Sequence, residues 1–123
     1  MRLARPMLSC LILTACIRPR AAYNGVLDSA NCGAIHGWAF DWNRLSVPSE
    51  VAIYDGDTLI QKIKADLPRP DLKLANNNHG FFLSPPPAVL FDRKPHTIHV
   101  RFGDSKQDLR QSPKPLRCPD EPR

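Results

Sequence analysis

Along this chain of 123 residues, apolar and polar positions alternate over short distances, and turn-forming residues break the alternation every few positions. The clearest case is "HTIHVRF" (96–102), in which Ile98, Val100 and Phe102 share one face of an extended strand. "EVAIYD" (50–55) and "TLIQKIKAD" (58–66) flank Asp55-Gly56-Asp57, a tight-hairpin signal. "NGVLDS" (24–29) and "HGFFLS" (79–84) are further strands, and the proline run at 85–87 stops the second because proline donates no ladder hydrogen bond. "LPRPDLKLANNN" (67–78) reads as a long connection in which Arg69 and Asp71, astride Pro70, pin the backbone by a local ion pair. "SPKPLRC" (112–118) brings the chain back to the domain. No stretch carries a sustained helical period. Six or seven short antiparallel strands at this spacing predict an all-β, Ig-like β-sandwich over residues 23–118, with a disordered tail at 119–123.

One further segment, "AIHGWAFDW" (34–42), holds both tryptophans. In a strand, His36, Trp38, Phe40 and Trp42 point to one face and Ile35, Gly37, Ala39 and Asp41 to the other. The aromatic face is the richer one to bury, which makes Trp38 a core element packed across a disulfide. Trp42, at the strand's end, is expected to be half wet and is the candidate ligand contact, with Tyr54 as its companion.

The first residues change the picture of where the domain sits. Arg2 and Arg5 precede the apolar run Met7–Ala15, the layout of an export signal and too short for a bilayer span of about 20 residues. Leu13-Thr14-Ala15-Cys16 has the form of a lipobox, so residues 1–15 read as a lipoprotein signal peptide, Cys16 as the lipidated residue and 16–22 as a tether. An ordinary cleaved signal fits less well, because Pro19 and Arg20 stand where a small-residue cleavage site is needed. The implied address is a bacterial cell envelope, with the domain held on a membrane by its lipid anchor.

Charge and cysteine usage follow from that address. The full chain carries a formal net charge of +5, which falls to +3 without Arg2 and Arg5. The remaining basic residues form no run, so a nucleic-acid footprint is not expected. Cys10 leaves with the signal and Cys16 is acylated, so Cys32 and Cys118 remain to pair in an oxidising compartment. Their 86-position loop predicts at most roughly 4 to 5 kcal/mol of stabilisation. The alternative, two metal ligands, lacks any CxxC or nearby Cys/His spacing.

The stretches "GVLDSANCGAIHGWAFD" (25–41), "VAIYDGDTLI" (51–60), "ADLPRPDL" (65–72), "HGFFLSPP" (79–86), "KPHTIHVRF" (94–102) and "QSPKPLRC" (111–118) occur in an order that resembles a bacterial β-sandwich module. That module is marked by a Gly-Trp-Ala strand and recurs in secreted proteins and beside glycan-processing domains. The resemblance implies an accessory domain without a catalytic site, and it supports pairing of Cys32 with Cys118, at the pattern's opening and closing cysteines. Two departures stand out: Trp42 occupies a place where the pattern usually has proline, and "SPPPAVLF" forms an unusually rigid turn.

Catalytic chemistry finds little support. His96 and His99, the closest histidine pair, point to opposite faces of one strand, and no HExxH, GxSxG or glycine-rich phosphate loop occurs. His79, beside Gly80 and two asparagines, reads as a turn histidine. Asp55 and Asp57 are explained by the hairpin, and a glycosidase pair would need two carboxyls about 5 to 9 Å apart in a cleft. No catalytic residue, metal or cofactor is expected. The function expected is a non-catalytic envelope binding module recognising glycan through Trp42 and Tyr54. The alternative is a structural or protein-binding envelope lipoprotein, including an inhibitor of a periplasmic enzyme.

Overall fold

In the computed structural model, residues 20–120 are described; the signal stretch 1–15 and Cys16 lie outside them. Eight strands form two four-stranded antiparallel sheets. The first has the order β1 (Tyr23–Ala30), β2 (Ile35–Asp41), β6 (Asn78–Leu83), β5 (Leu67–Pro68). The second has the order β4 (Thr58–Ala65), β3 (Ser49–Asp55), β7 (His96–Phe102), β8 (Lys114–Leu116). Strand for strand, this is the immunoglobulin-type arrangement with one strand added beside the third. Short 3-10 turns at Trp42–Arg44, Pro70–Leu72 and Ala88–Leu90 complete the chain.

Two of the eight strands, β5 and β8, fall in stretches that read as connections; each contains a proline and each lies at the edge of a sheet. Edge position is what allows it, since the proline's missing donor faces away from the ladder. The β3–β4 hairpin turns at Gly56, whose φ of 59° suits a residue without Cβ.

Between the sheets lie Leu27, Ile35, Val51, Ile53, Phe81, Ile98, Val100 and Phe102, all nearly inaccessible. Each such side chain contributes about 1.5–3 kcal/mol by leaving water. The burial of β2 is the reverse of the expected one: Ile35, Gly37 and Ala39 face the core, and Trp38 lies half-buried on the outer face. Large neighbours fill the inner side instead. A Cβ on Gly37 would sit 3.1 Å from the Phe81 ring and 2.1 Å from the Val26 carbonyl, and one on Gly25 would sit 3.0 Å from the Phe102 ring. Small residues on β1 and β2 thus receive rings from β6 and β7, and the indole is pushed outward.

Cys32 and Cys118 form a disulfide with Cα atoms 5.6 Å apart across 86 positions. It joins the β1–β2 loop to the end of the chain after β8, and Trp38 does not pack across it as a core residue. The segment after β7 also ties the sheets together: Leu109 donates to Val100 in one sheet, while Arg110 exchanges backbone bonds with Gly25 and Leu27 in the other. Near the two ends of the described residues, Ala22 exchanges hydrogen bonds with Asp41 and Trp42, and Asp120 pairs with Arg93.

Candidate functional site

Strand pairing sets out the outer face of the first sheet rung by rung. Ser29, His36 and Phe82 share one rung; Val26, Trp38, Gly80 and Leu67 share the next; Asn24 stands opposite Phe40. Along β2 the aromatic rings form a column. Trp38 stacks on Phe40 with centroids 5.5 Å apart, Phe40 meets the edge of Trp42 at 4.8 Å, and His36 leans on Phe82 at 5.5 Å. Phe40 is buried beneath this cover, whereas Trp42 is 52% exposed and Phe82 58% exposed.

Local backbone chemistry holds Trp42 in place. Asp41 caps the 3-10 turn by accepting the Asn43 N–H, and the Trp42 N–H donates to the Ala22 carbonyl at 2.9 Å. The Asn43 side chain donates to the Arg20 carbonyl. The indole is therefore presented by a fixed backbone.

A cation stands on each side of the column. The Arg110 guanidinium lies 5.8 Å from the Trp38 ring and donates to Asn24 Oδ1 at 2.7 Å. On the opposite side, Arg69 makes the expected fork to Asp71, with two bonds of 2.9 Å, and also reaches Asp28 on β1 at 2.9 Å. Its stem crosses Gly80 so closely that a Cβ there would lie 2.6 Å from Arg69 Cγ. The Asp71 carboxylate, then burial acting in the opposite sense, then Asp28 set the balance that raises the Arg69 pKa.

Tyr54 is elsewhere. It stands opposite His99 on the second sheet, where the Arg101 guanidinium covers its ring at 4.7 Å. The structure does not bring Trp42 and Tyr54 together; the companions of Trp42 are Phe40, Trp38 and the column beyond them. Phe82 was missed although its signal was present: two adjacent phenylalanines in one strand must face opposite ways. Arg69 and Arg110 were not legible as flanking groups, because only strand pairing places them beside β2.

The histidines take structural partners. His79 lies within β6 rather than in a turn, is completely buried, and bonds Leu45 O through Nε2 at 3.1 Å. His96 sits between Asp92 and Asp55 at 2.7 and 2.6 Å, and the Asp92 bond is the larger cause of its raised pKa. His99 Nδ1 lies 2.7 Å from Asp108 Oδ2, and Ser112 donates to that same oxygen at 2.8 Å. Serine and histidine thus both bind the carboxylate, whereas nucleophilic activation needs the serine on the histidine. Burial raises the Asp108 pKa, but the donors Arg101, His99 and Ser112 outweigh it and hold the carboxyl below its ordinary range. Among the described residues there is no group of three or more His, Cys, Asp or Glu side chains placed to hold a metal, and no helix long and apolar enough to cross a membrane.

No protein-family model, curated protein or solved structure matches this chain.

Proposed function

We propose that this protein is a non-catalytic binding module of the bacterial cell envelope, anchored by a lipid on Cys16, that recognises glycan through the outer face of its first sheet. The observation that carries the reading is Trp42, half-exposed, braced edge-on by Phe40 and held by the bonds of Ala22 and Asp41. An indole fixed in this way offers a flat apolar face to a sugar ring at little entropic cost, while polar groups beside it give direction. The column of Trp38, Phe40 and Trp42 lengthens the platform, and Arg110 with Asn24 supplies hydrogen-bonding groups at its flank.

The resemblance to the Gly-Trp-Ala module fits the same reading in physical terms. Gly37 and Ala39 face the core where rings need room, and Trp38 between them faces out. A second reading is favoured by Phe82 and Leu67, both exposed on the same outer face: a protein partner docked on an apolar patch.

Glycan-array binding by the full chain separates the two readings. Glycan recognition predicts retention on envelope oligosaccharides that Trp42→Ala abolishes and Phe82→Ala leaves largely intact. Absence of retention on any glycan would overturn it in favour of the protein partner.

A further inference from the structure

At the end of the sandwich where β2 passes into the turn Trp42–Arg44, an open cleft of about 500 Å³ is lined by residues of both sheets. Tyr23 and Asp41 reach it from the first sheet, Ser49, Glu50 and Lys64 from the second, and Arg44 from the turn that follows Trp42. The Tyr23 ring lies flat on Phe102, with centroids 4.7 Å apart and planes within 6°, which fixes one aromatic wall. Val47 and Pro48 add apolar surface. The volume falls in the range of small-molecule sites, about 300–1,000 Å³.

The polar groups of the cleft are incompletely paired. Asp41 is only 6% exposed, and its Oδ1 accepts the N–H groups of Ala22 and Asn43 at 3.0 and 2.9 Å. Its Oδ2 takes no hydrogen bond from any described residue. This oxygen keeps contact with solvent at the cleft, so it is free to accept a hydrogen bond from a ligand there. Neither Arg44 nor Lys64 forms an ion pair among the described residues. Glu50 has only Lys62 at 4.0 Å, and that lysine is held more closely by Asp104.

A ligand that satisfies this set must bring an anion for Arg44 and Lys64 and hydrogen-bond donors for Asp41 and Glu50. A simple anion would face two carboxylates, and a neutral sugar would leave two cations unpaired. We infer that the cleft binds an acidic saccharide, its carboxylate between Arg44 and Lys64 and its hydroxyls donating to Asp41 Oδ2 and Glu50. This rests on the reading of the protein as a glycan-binding module, and within that reading a saccharide is favoured over a zwitterionic amino acid.

The test is amide chemical-shift mapping of the ¹⁵N-labelled full chain with N-acetylmuramate, with N-acetylglucosamine, which lacks its lactyl carboxylate, and with glycylglycine as a zwitterion. The inference predicts saturable shifts at Tyr23, Ser49 and Gly103 with N-acetylmuramate, weakened about tenfold or more in Lys64→Gln and in Arg44→Gln. N-acetylglucosamine should perturb the Trp42 indole and be unaffected by those two variants. Equal binding of both sugars at Trp42 without shifts in the cleft would overturn the acidic-saccharide site and leave the glycan reading standing. Cleft shifts with glycylglycine alone would overturn the ligand class. No response at Trp42 or in the cleft to either sugar would overturn both.

Discussion

Replacing Gly80 with alanine tests how Arg69 lies across the first sheet. The added Cβ would fall 2.6 Å from Arg69 Cγ and 3.2 Å from both Arg69 Cδ and the Leu67 carbonyl. The arginine stem must leave its path over β6. Its fork to Asp71, only two residues away, can move with it, but the bond to Asp28 on β1 is lost. A partly shielded pair of this kind contributes up to about 1 kcal/mol, and an off-rotamer stem costs about another 1 kcal/mol. Alanine in a strand recovers about 0.5–1 kcal/mol relative to glycine. The expected outcome for Gly80→Ala is a net loss of about 1 kcal/mol. In an Arg69→Ala background the steric conflict is gone, and the same change should be neutral or slightly stabilising. The contact with the Leu67 carbonyl is common to both backgrounds and cancels. Urea unfolding of the four proteins, with unchanged m-values, reads the coupling directly, at about 1.5 kcal/mol. Additive effects would refute the placement of Arg69 over Gly80.

Gly37→Ala should be far more damaging, about 3 kcal/mol or more by thermal unfolding, because the new Cβ meets the Val26 carbonyl at 2.1 Å and a backbone atom cannot step aside as a side chain can. Removing the disulfide with Cys32→Ser and Cys118→Ser together should lower stability by up to about 4–5 kcal/mol, from the 86-position loop it closes, as read by denaturant unfolding under oxidising conditions. The His96 clamp predicts a pH dependence. Its pKa is raised by Asp92 and Asp55, so the stability it contributes is fully present below the ordinary imidazole value of 6.5 and is lost as pH rises through the raised one. Asp92 is held below its ordinary 3.8 by His96, so its contribution is present above 3.8 and is lost on acidification. Melting temperatures recorded between about pH 5 and 9 should decline on the alkaline side, and His96→Gln should flatten that decline.

The alternation of "HTIHVRF" was sufficient to define β7, because one face carries three large apolar side chains and the other carries polar ones. The same rule misplaced β2. Its two faces differ in bulk, and bulk decides burial only when neighbouring strands leave the space empty; Phe81 occupies that space over Gly37. Prolines 68 and 115 concealed β5 and β8, since local chemistry marks a proline as a breaker and only sheet position shows that it borders an edge. For the candidate site, the place of Trp42 at a strand end left it open between core and surface, and only the packed sheet leaves the ring half exposed, whereas Tyr54 was assigned to it without knowledge of sheet membership. The cleft was illegible, because its groups come from β1, β2, β3, β4 and two connections, and nothing local announces that they converge.

The most direct test of the glycan reading is intrinsic fluorescence of the disulfide-intact full chain titrated with peptidoglycan fragments and envelope oligosaccharides, beside Trp42→Phe. The account predicts a saturable change in emission that disappears in the variant while Trp38 still emits. No change with any saccharide, or a change that Trp42→Phe retains in full, would contradict it.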